Sequence, residues 1–440
     1  MNAAATAHGR DSKQYALAIL ELAWVRKLRT PGKPQIALIE EAKAILTRVA
    51  PGSEEHAQAL YFEAEFVRHS DPPRAAVAAR ESIRLMDLQS GAPRRKAFAL
   101  RTLGYAQRSL GNVDAAAIAF EQAIKSFAQL YGADGFEVGI TKGDLGLTLR
   151  QQLRLAEAEQ AARESVEILR AFRGNRVDWE GYGQRLARLV SERGRITDAE
   201  KRLQVGYDAL VAADSAPSDM TSSIAIELID IAIARGQFHH AHELVSRHRQ
   251  GVDGGFPTIY AGILVRAASI ALERNELSEA RRHVDDAKAL LRERGLPLDA
   301  ARDVAAVAAE VAAAAGDVAQ AVAEFADFQA RFPLPKHSLL TQLKMDFSKA
   351  RVFASLKRWS EVDAVLRDWS TKPLLPGQEI PIPLKGEMLL LAGEAAQKMG
   401  KLEARNLLTE ANEILARMHV PTSAALARSK LLLGQLASAS

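Results

Sequence analysis

One pattern of small and large residues returns every 39 to 43 residues or so along this 440-residue chain, and it limits the fold more than any other feature. Its clearest copy runs from Ala99 to Ala123. Leu100, Leu103 and Gly104 share one face of a first helical pattern. Gly111-Asn112 interrupts it, and Ala116, Phe120 and Ala123 then recur at the i, i+4, i+7 spacing of a buried stripe. Gly111 is placed to end the first helix in a left-handed conformation. Asp114 sits where an N-cap acceptor or a first-turn carboxylate favoured by the helix dipole belongs. The spacing therefore predicts two antiparallel helices, with Gly104 and Ala116 allowing close approach and Phe120 wedging between neighbouring pairs.

The same grammar returns at Gly146 with Ala158, at Ala187 with Gly194 and Ala199, and at Ile229 with Gly236 and Ala241. It continues at Ala268 with Asn275 and Ala280, at Ala309 with Gly316 and Phe325, at Ala350 with Trp359, and at Gly393 with Gly400. Upstream, Ala64 with Asp71 and Ala76 fits, and a degenerate first copy covers Tyr15 to Leu46. This signature resembles the tetratricopeptide repeat, whose usual period is about 34 residues. The longer step here, with Leu130 to Phe136 between two copies, is similar to the roughly 42-residue variety of kinesin light chains and bacterial signalling proteins. The resemblance implies an all-α fold, a right-handed superhelical α-solenoid of about ten antiparallel helix pairs with a C-terminal capping helix. On that reading residues 1–12 are a flexible N-terminus, 13–420 form one continuous solenoid, and 421–440 carry the capping helix.

Composition agrees. About 80 residues are alanine, aromatics are 6% and cysteine is absent. Alanine favours helices and disfavours strands, so an all-β fold is excluded, and so are a disulfide scaffold, thiol chemistry and Cys-ligated metal. The net charge is +4, arginine outnumbers lysine by about two to one, and the two signs are interspersed, which predicts a mildly basic surface and not a nucleic-acid tail. The start, MNAAATAHGRDSKQY, lacks the apolar stretch of a signal peptide. The most apolar run, Val304 to Ala315, is too short to span a bilayer and contains Glu310. A cytoplasmic location without membrane contact is expected, and the abundance of Ala and Arg points to a bacterial source.

The chain contains no P-loop, no GxGxxG after a strand, no GxSxG elbow, no HExxH and no kinase signature, so no enzymatic activity and no cofactor are expected. His239, His242 and Glu243, at i, i+3, i+4, share a helix face with the spacing of metal ligands. They fall on the outer helix of a pair, where solvated polar residues are normal, and that reading is preferred to a metal site.

In the tetratricopeptide architecture the first helix of each pair lines a concave groove, and fixed offsets from its small residue face inward. Those positions yield Tyr61, Arg68, Arg101, Tyr105, Arg108, Arg150 and Arg188, with Phe98 nearby. Arginine offers planar bidentate donors and tyrosine rigid stacking area. The expected partner is a protein or peptide segment, acidic or aromatic in character. Farther along, the same positions give Asp230, Glu310 and Arg351, so the sign of charge changes. A non-catalytic interaction scaffold or adaptor is the first functional reading. The second is a regulatory sensor in a bacterial signalling or transcription system, acting on a separate effector protein because the array begins within the first ~15 residues. Nucleic-acid binding by an α-solenoid is disfavoured, since Asp230 and Glu310 interrupt any basic stripe.

Overall fold

The computed structural model describes residues 2–29, 35–89, 92–172, 176–213, 218–249, 257–294, 298–332, 338–371, 374–418 and 423–438. Every regular element among them is an α-helix. A short α1 (Asn2–His8) lies within the stretch expected to be a flexible N-terminus. Ten consecutive pairs follow: α2 (Lys13–Arg29) with α3 (Ile36–Val49), α4 (Glu54–Val67) with α5 (Pro72–Leu88), α6 (Pro93–Ser109) with α7 (Val113–Tyr131), α8 (Phe136–Gln151) with α9 (Leu155–Arg170), and α10 (Arg176–Glu192) with α11 (Ile196–Ala213). Then come α12 (Asp219–Ala234) with α13 (Phe238–Arg249), α14 (Pro257–Glu273) with α15 (Leu277–Arg294), α16 (Leu298–Ala314) with α17 (Val318–Arg331), α18 (Leu339–Ser355) with α19 (Trp359–Thr371), and α20 (Ile382–Lys398) with α21 (Ala404–Met418). A single α22 (Ala424–Ser438) ends the described chain and buries Leu426, Ser429 and Leu432. The fold is an all-α array of helix pairs.

The period has a backbone cause. Left-handed residues occur at Gly111, Leu153, Gly194, Gly236, Asn275, Gly316, Lys357 and Gly400, one in the turn of each successive pair from α6–α7 to α20–α21. At Gly111 the amide donates to Arg108 O at 3.0 Å and the next amide, of Asn112, to Gln107 O at 2.9 Å, which is the Schellman closure. The same two bonds recur at Gly194, Gly236, Asn275, Gly316, Lys357 and Gly400. Leu153 and Lys357 adopt this conformation with a Cβ, at a cost of about 1 kcal/mol each.

Close approach within a pair depends on the small residues. A Cβ on Gly104 would stand 2.7 Å from the Phe120 ring, and one on Gly393 would stand 2.7 Å from the Leu408 side chain. Phe120 thus fills the space that Gly104 leaves in its own pair, where it is fully buried with Ala116 and Ala123. Asp114 takes the role of a first-turn carboxylate, one residue inside α7. Gly104→Ala is expected to lower stability by about 1 to 2 kcal/mol, because overpacking outweighs the gain in helix propensity. Combining it with Phe120→Leu should cost less than the sum of the single changes in urea unfolding. A Gly104→Ala protein as stable as the parent would contradict this packing.

The chain forms two compact units. The first comprises Met1–Leu149 and Gln160–Gly174, and the second Arg150–Glu159 and Asn175–Ser440. In the first, Phe98, Phe127 and Ala123 with Val138 and Ile168 form one of the apolar clusters between pairs. The second unit contains a long-range return. Leu153, 0% exposed, packs with Leu340, Leu343, Phe347 and Met388 from α18 and α20. Its carbonyl accepts from Glu379 N at 2.7 Å, and Gln152 O accepts from Gln378 Nε2 at 3.1 Å. The proline-rich segment before α20 therefore docks on the turn between α8 and α9. At the other end of this unit, Gly236 packs against Ser423, just before α22.

Candidate functional site

Of the inner-helix arginines singled out above, Arg101, Arg108, Arg150 and Arg188 are held by residues about one repeat away. In the first unit Arg101 pairs with Glu137, and its guanidinium lies 5.0 Å over Phe98. Phe98 meets Phe127 edge-on at 5.0 Å. Tyr105 donates its hydroxyl proton to Asp144, and Arg108 donates to Asp144 O at 3.3 Å. Arg68 pairs with Glu65 at 3.0 Å and stacks 4.6 Å over the Tyr105 ring. Tyr61 is buried beside Phe62, and burial pushes its hydroxyl pKa up. In the second unit Arg150 grips Glu192, with Nε–Oε2 at 2.8 Å, and Arg188 grips Glu227, with Nε–Oε2 at 2.9 Å.

So the structure brings Arg68, Arg101, Tyr105, Arg108 and Phe98 together as a stacked surface with half-buried charges, removes Tyr61 from that surface, and places Arg150 and Arg188 in the second unit. Burial pushes the Glu192 and Glu227 carboxyls up, but the neighbouring cations, Arg150 and Arg188 foremost, hold both below the ordinary range. The sequence signal for this ladder is an acid one period after each base: Glu137 after Arg101, Glu192 after Arg150, and Glu227 after Arg188. Such bidentate, partly desolvated pairs fix the stacking of successive repeats more than they add free energy.

The inner helices of the second unit surround a cavity of about 300 Å³. Its wall alternates charge: Arg150 with Glu192, Arg188 with Glu227, Arg266 with Asp230 at 2.6 and 2.8 Å, and Arg302 with Asp303 at 2.8 Å and Asp299 at 2.6 Å. Lys344, Thr341, Pro381 and Leu384 complete it. A second hollow of about 330 Å³ shares Arg266, Arg302 and Lys344 and runs on past Phe347 to Glu273, Glu310 and Arg351. Arg351 reaches Glu310 at 3.2 Å and Glu273 at 3.7 Å. Burial pushes the Glu310 and Glu387 carboxyls up.

Asp230, Glu310 and Arg351 were placed in the groove by the repeat offsets, and all three line these hollows. Arg266, Arg302 and Lys344 were missed because they stand two, seven and six residues before Ala268, Ala309 and Ala350, at positions the repeat offsets do not include. They lie seven or eight residues before Glu273, Glu310 and Arg351 on the same helical stripe. No continuous basic stripe results, since every arginine in the wall faces an acid.

His239 and Glu243 meet at 3.4 Å on the exposed face of α13, and His242 is exposed beside them. No group of three residues able to hold a metal occurs among the described residues. The informative histidine of this cluster is His248. It is 1% exposed, with Tyr207 Oη 2.8 Å from Nε2 and Ser222 Oγ 2.9 Å from Nδ1. Burial, and then Arg247, lower its pKa to about 4. No helix among the described residues is long and apolar enough to cross a membrane.

Residues 95–171 match the tetratricopeptide repeat family model. The crystal structure of BtubC (BKLC) from P. vanneervenii aligns with a TM-score of 0.31 at 16% identity, covering 64% of this chain and 91% of that one. The apo form of the quorum sensor NprR from B. thuringiensis aligns with a TM-score of 0.48 at 10% identity, covering 92% of this chain and 99% of that one. No curated protein matches the sequence. Residues 95–171, which fall on α6 to α9, are thus a tetratricopeptide-repeat stretch, and its helix pairing and left-handed turn recur along the described residues.

Proposed function

We propose that the protein is a non-catalytic interaction module that takes a polar segment of a partner protein into the inner face of its second unit. The observation that carries this reading is the polar, pre-organised cavity of about 300 Å³ built from successive inner helices. A void in a packed core is apolar and stays dry, whereas a wall of paired charges is suited to a polar occupant. The first-unit surface of Arg68, Phe98, Arg101, Tyr105 and Arg108 offers stacking area of its own for an aromatic or acidic segment. The alternative, a sensor acting on a separate effector, draws support from the return of Gln378 and Glu379 onto Gln152 and Leu153, because filling the cavity would load that contact.

Ala234 lines the cavity and takes part in none of the ion pairs. Ala234→Trp should therefore fill the space while leaving the wall intact. In affinity capture with the full chain, it is expected to lose a partner at least about tenfold, a change of roughly 1.4 kcal/mol. Val205→Trp, at a site 72% exposed, should keep that partner. Equal capture by both variants would rule the cavity out as the binding site.

A further inference from the structure

We propose that the Lys344 ammonium, with the Thr341 hydroxyl one turn before it, anchors a carboxylate of whatever occupies this cavity. The inference rests on the interaction reading above and names the chemistry of the occupant at one point. All four arginines of the wall have a carboxylate in contact. Lys344, half-buried in the same wall, has no carboxylate within 4 Å of Nζ among the described residues and makes no hydrogen bond there. It lines both hollows.

Thr341 adds the second donor. Its hydroxyl oxygen accepts from Ser338 Oγ at 3.1 Å, which leaves its own proton to donate. Thr341 is 3% exposed, lines the same cavity and precedes Lys344 by three residues on α18, so the two groups share a face. An ammonium plus a hydroxyl donor matches the two oxygens of a carboxylate.

The wall also selects the charge of the ligand. Five carboxylates line the cavity: Glu192, Glu227, Asp230, Asp299 and Asp303. They are engaged by the arginines, yet they still repel added negative charge, so a monoanion is tolerated better than a dianion such as phosphate. Toward the other end of the stripe, Glu273, Glu310 and Glu387 stand against Arg351, which leaves that end unfavourable to anions. The carboxylate is therefore confined to the Lys344 level. Desolvation, followed by Arg302 and Arg150, lowers the lysine pKa to about 8, which supplies a direct readout.

The test is lysine side-chain NMR on the full chain, with the Lys344 signal identified by its loss in Lys344→Met. Its titration midpoint should rise by about half a unit or more when sodium acetate replaces chloride at equal ionic strength. Sodium phosphate should raise it less, and Thr341→Val should shrink the acetate response. A midpoint indifferent to acetate, or one raised more by phosphate, overturns the proposal. A silent Lys344 alongside a partner lost by Ala234→Trp defeats this inference alone. A responsive Lys344 with no cavity-dependent partner defeats the interaction reading alone.

Discussion

Leu153→Ala is expected to destabilise the second unit by about 3 to 4 kcal/mol, within the range for fully buried leucines. The side chain is 0% exposed and packs among Leu340, Leu343, Phe347 and Met388. Alanine at this position keeps a Cβ, so the backbone strain of φ 63° is the same before and after, and the measured loss reports packing alone. Urea unfolding followed by circular dichroism measures it. Leu402→Ala, at a site 97% exposed, should change stability by less than about 0.5 kcal/mol and serves as the reference. A Leu153→Ala cost no larger than that of Leu402→Ala would show that the docked turn contributes nothing to stability.

His248 should make the second unit sensitive to acid. Arg247 Nη1 lies 3.4 Å from Tyr207 Oη, so that oxygen accepts and its proton is left to donate to His248 Nε2. The neutral imidazole then donates from Nδ1 to Ser222 Oγ, and both ring nitrogens are satisfied without charge. The folded pKa of about 4 is below the unfolded value near 6.5, so the folded state binds fewer protons between these two values. The stabilisation is complete above pH ~6.5 and is lost as pH falls toward ~4, by up to about 3 kcal/mol. His248→Gln should be less stable at pH 8, because the hydroxyl network is imperfectly replaced. It should also lack this slope: the difference from the parent should narrow steadily from pH 7 to pH 4.5. A difference constant with pH would mean that the imidazole does not titrate in this window.

How much could be read from the chain alone depended on which neighbours set each residue. The helix pairs follow from Gly104, Ala116 and Phe120, because packing within a pair involves residues near one another in sequence; Gly104 and Ala116 allow the close approach expected of them, but Phe120 packs against Gly104 and Tyr105 within its own pair and not as a wedge between neighbouring pairs. The turns were recognised wherever glycine or asparagine occupies the left-handed position. Leu153 and Lys357 were not, since nothing local favours a positive φ there, and at Leu153 burial against α18 and α20 accompanies the strain. The site is the less legible part. Reading Arg101 or Arg188 as open for a partner considers one helix at a time, whereas Glu137 and Glu227 reach them from the next repeat. Lys344 lay outside the expected positions, because it stands six residues before Ala350, one residue beyond the farthest position the repeat offsets reach.

The docking of the proline-rich segment has a consequence for biosynthesis. An ordinary repeat array can fold behind the ribosome one pair at a time, because each pair buries its surface on the one before. Leu153 cannot, since its hydrogen-bonded partner Glu379 and its apolar partners from Leu340 to Met388 arrive roughly 190 to 235 residues later in the chain. At roughly 5 to 20 residues per second, the turn between α8 and α9 waits on the order of ten to fifty seconds with its leucine uncovered. During that interval it is a natural attachment point for holdase chaperones, and synonymous changes in translation speed upstream of residue 374 would lengthen or shorten its exposure.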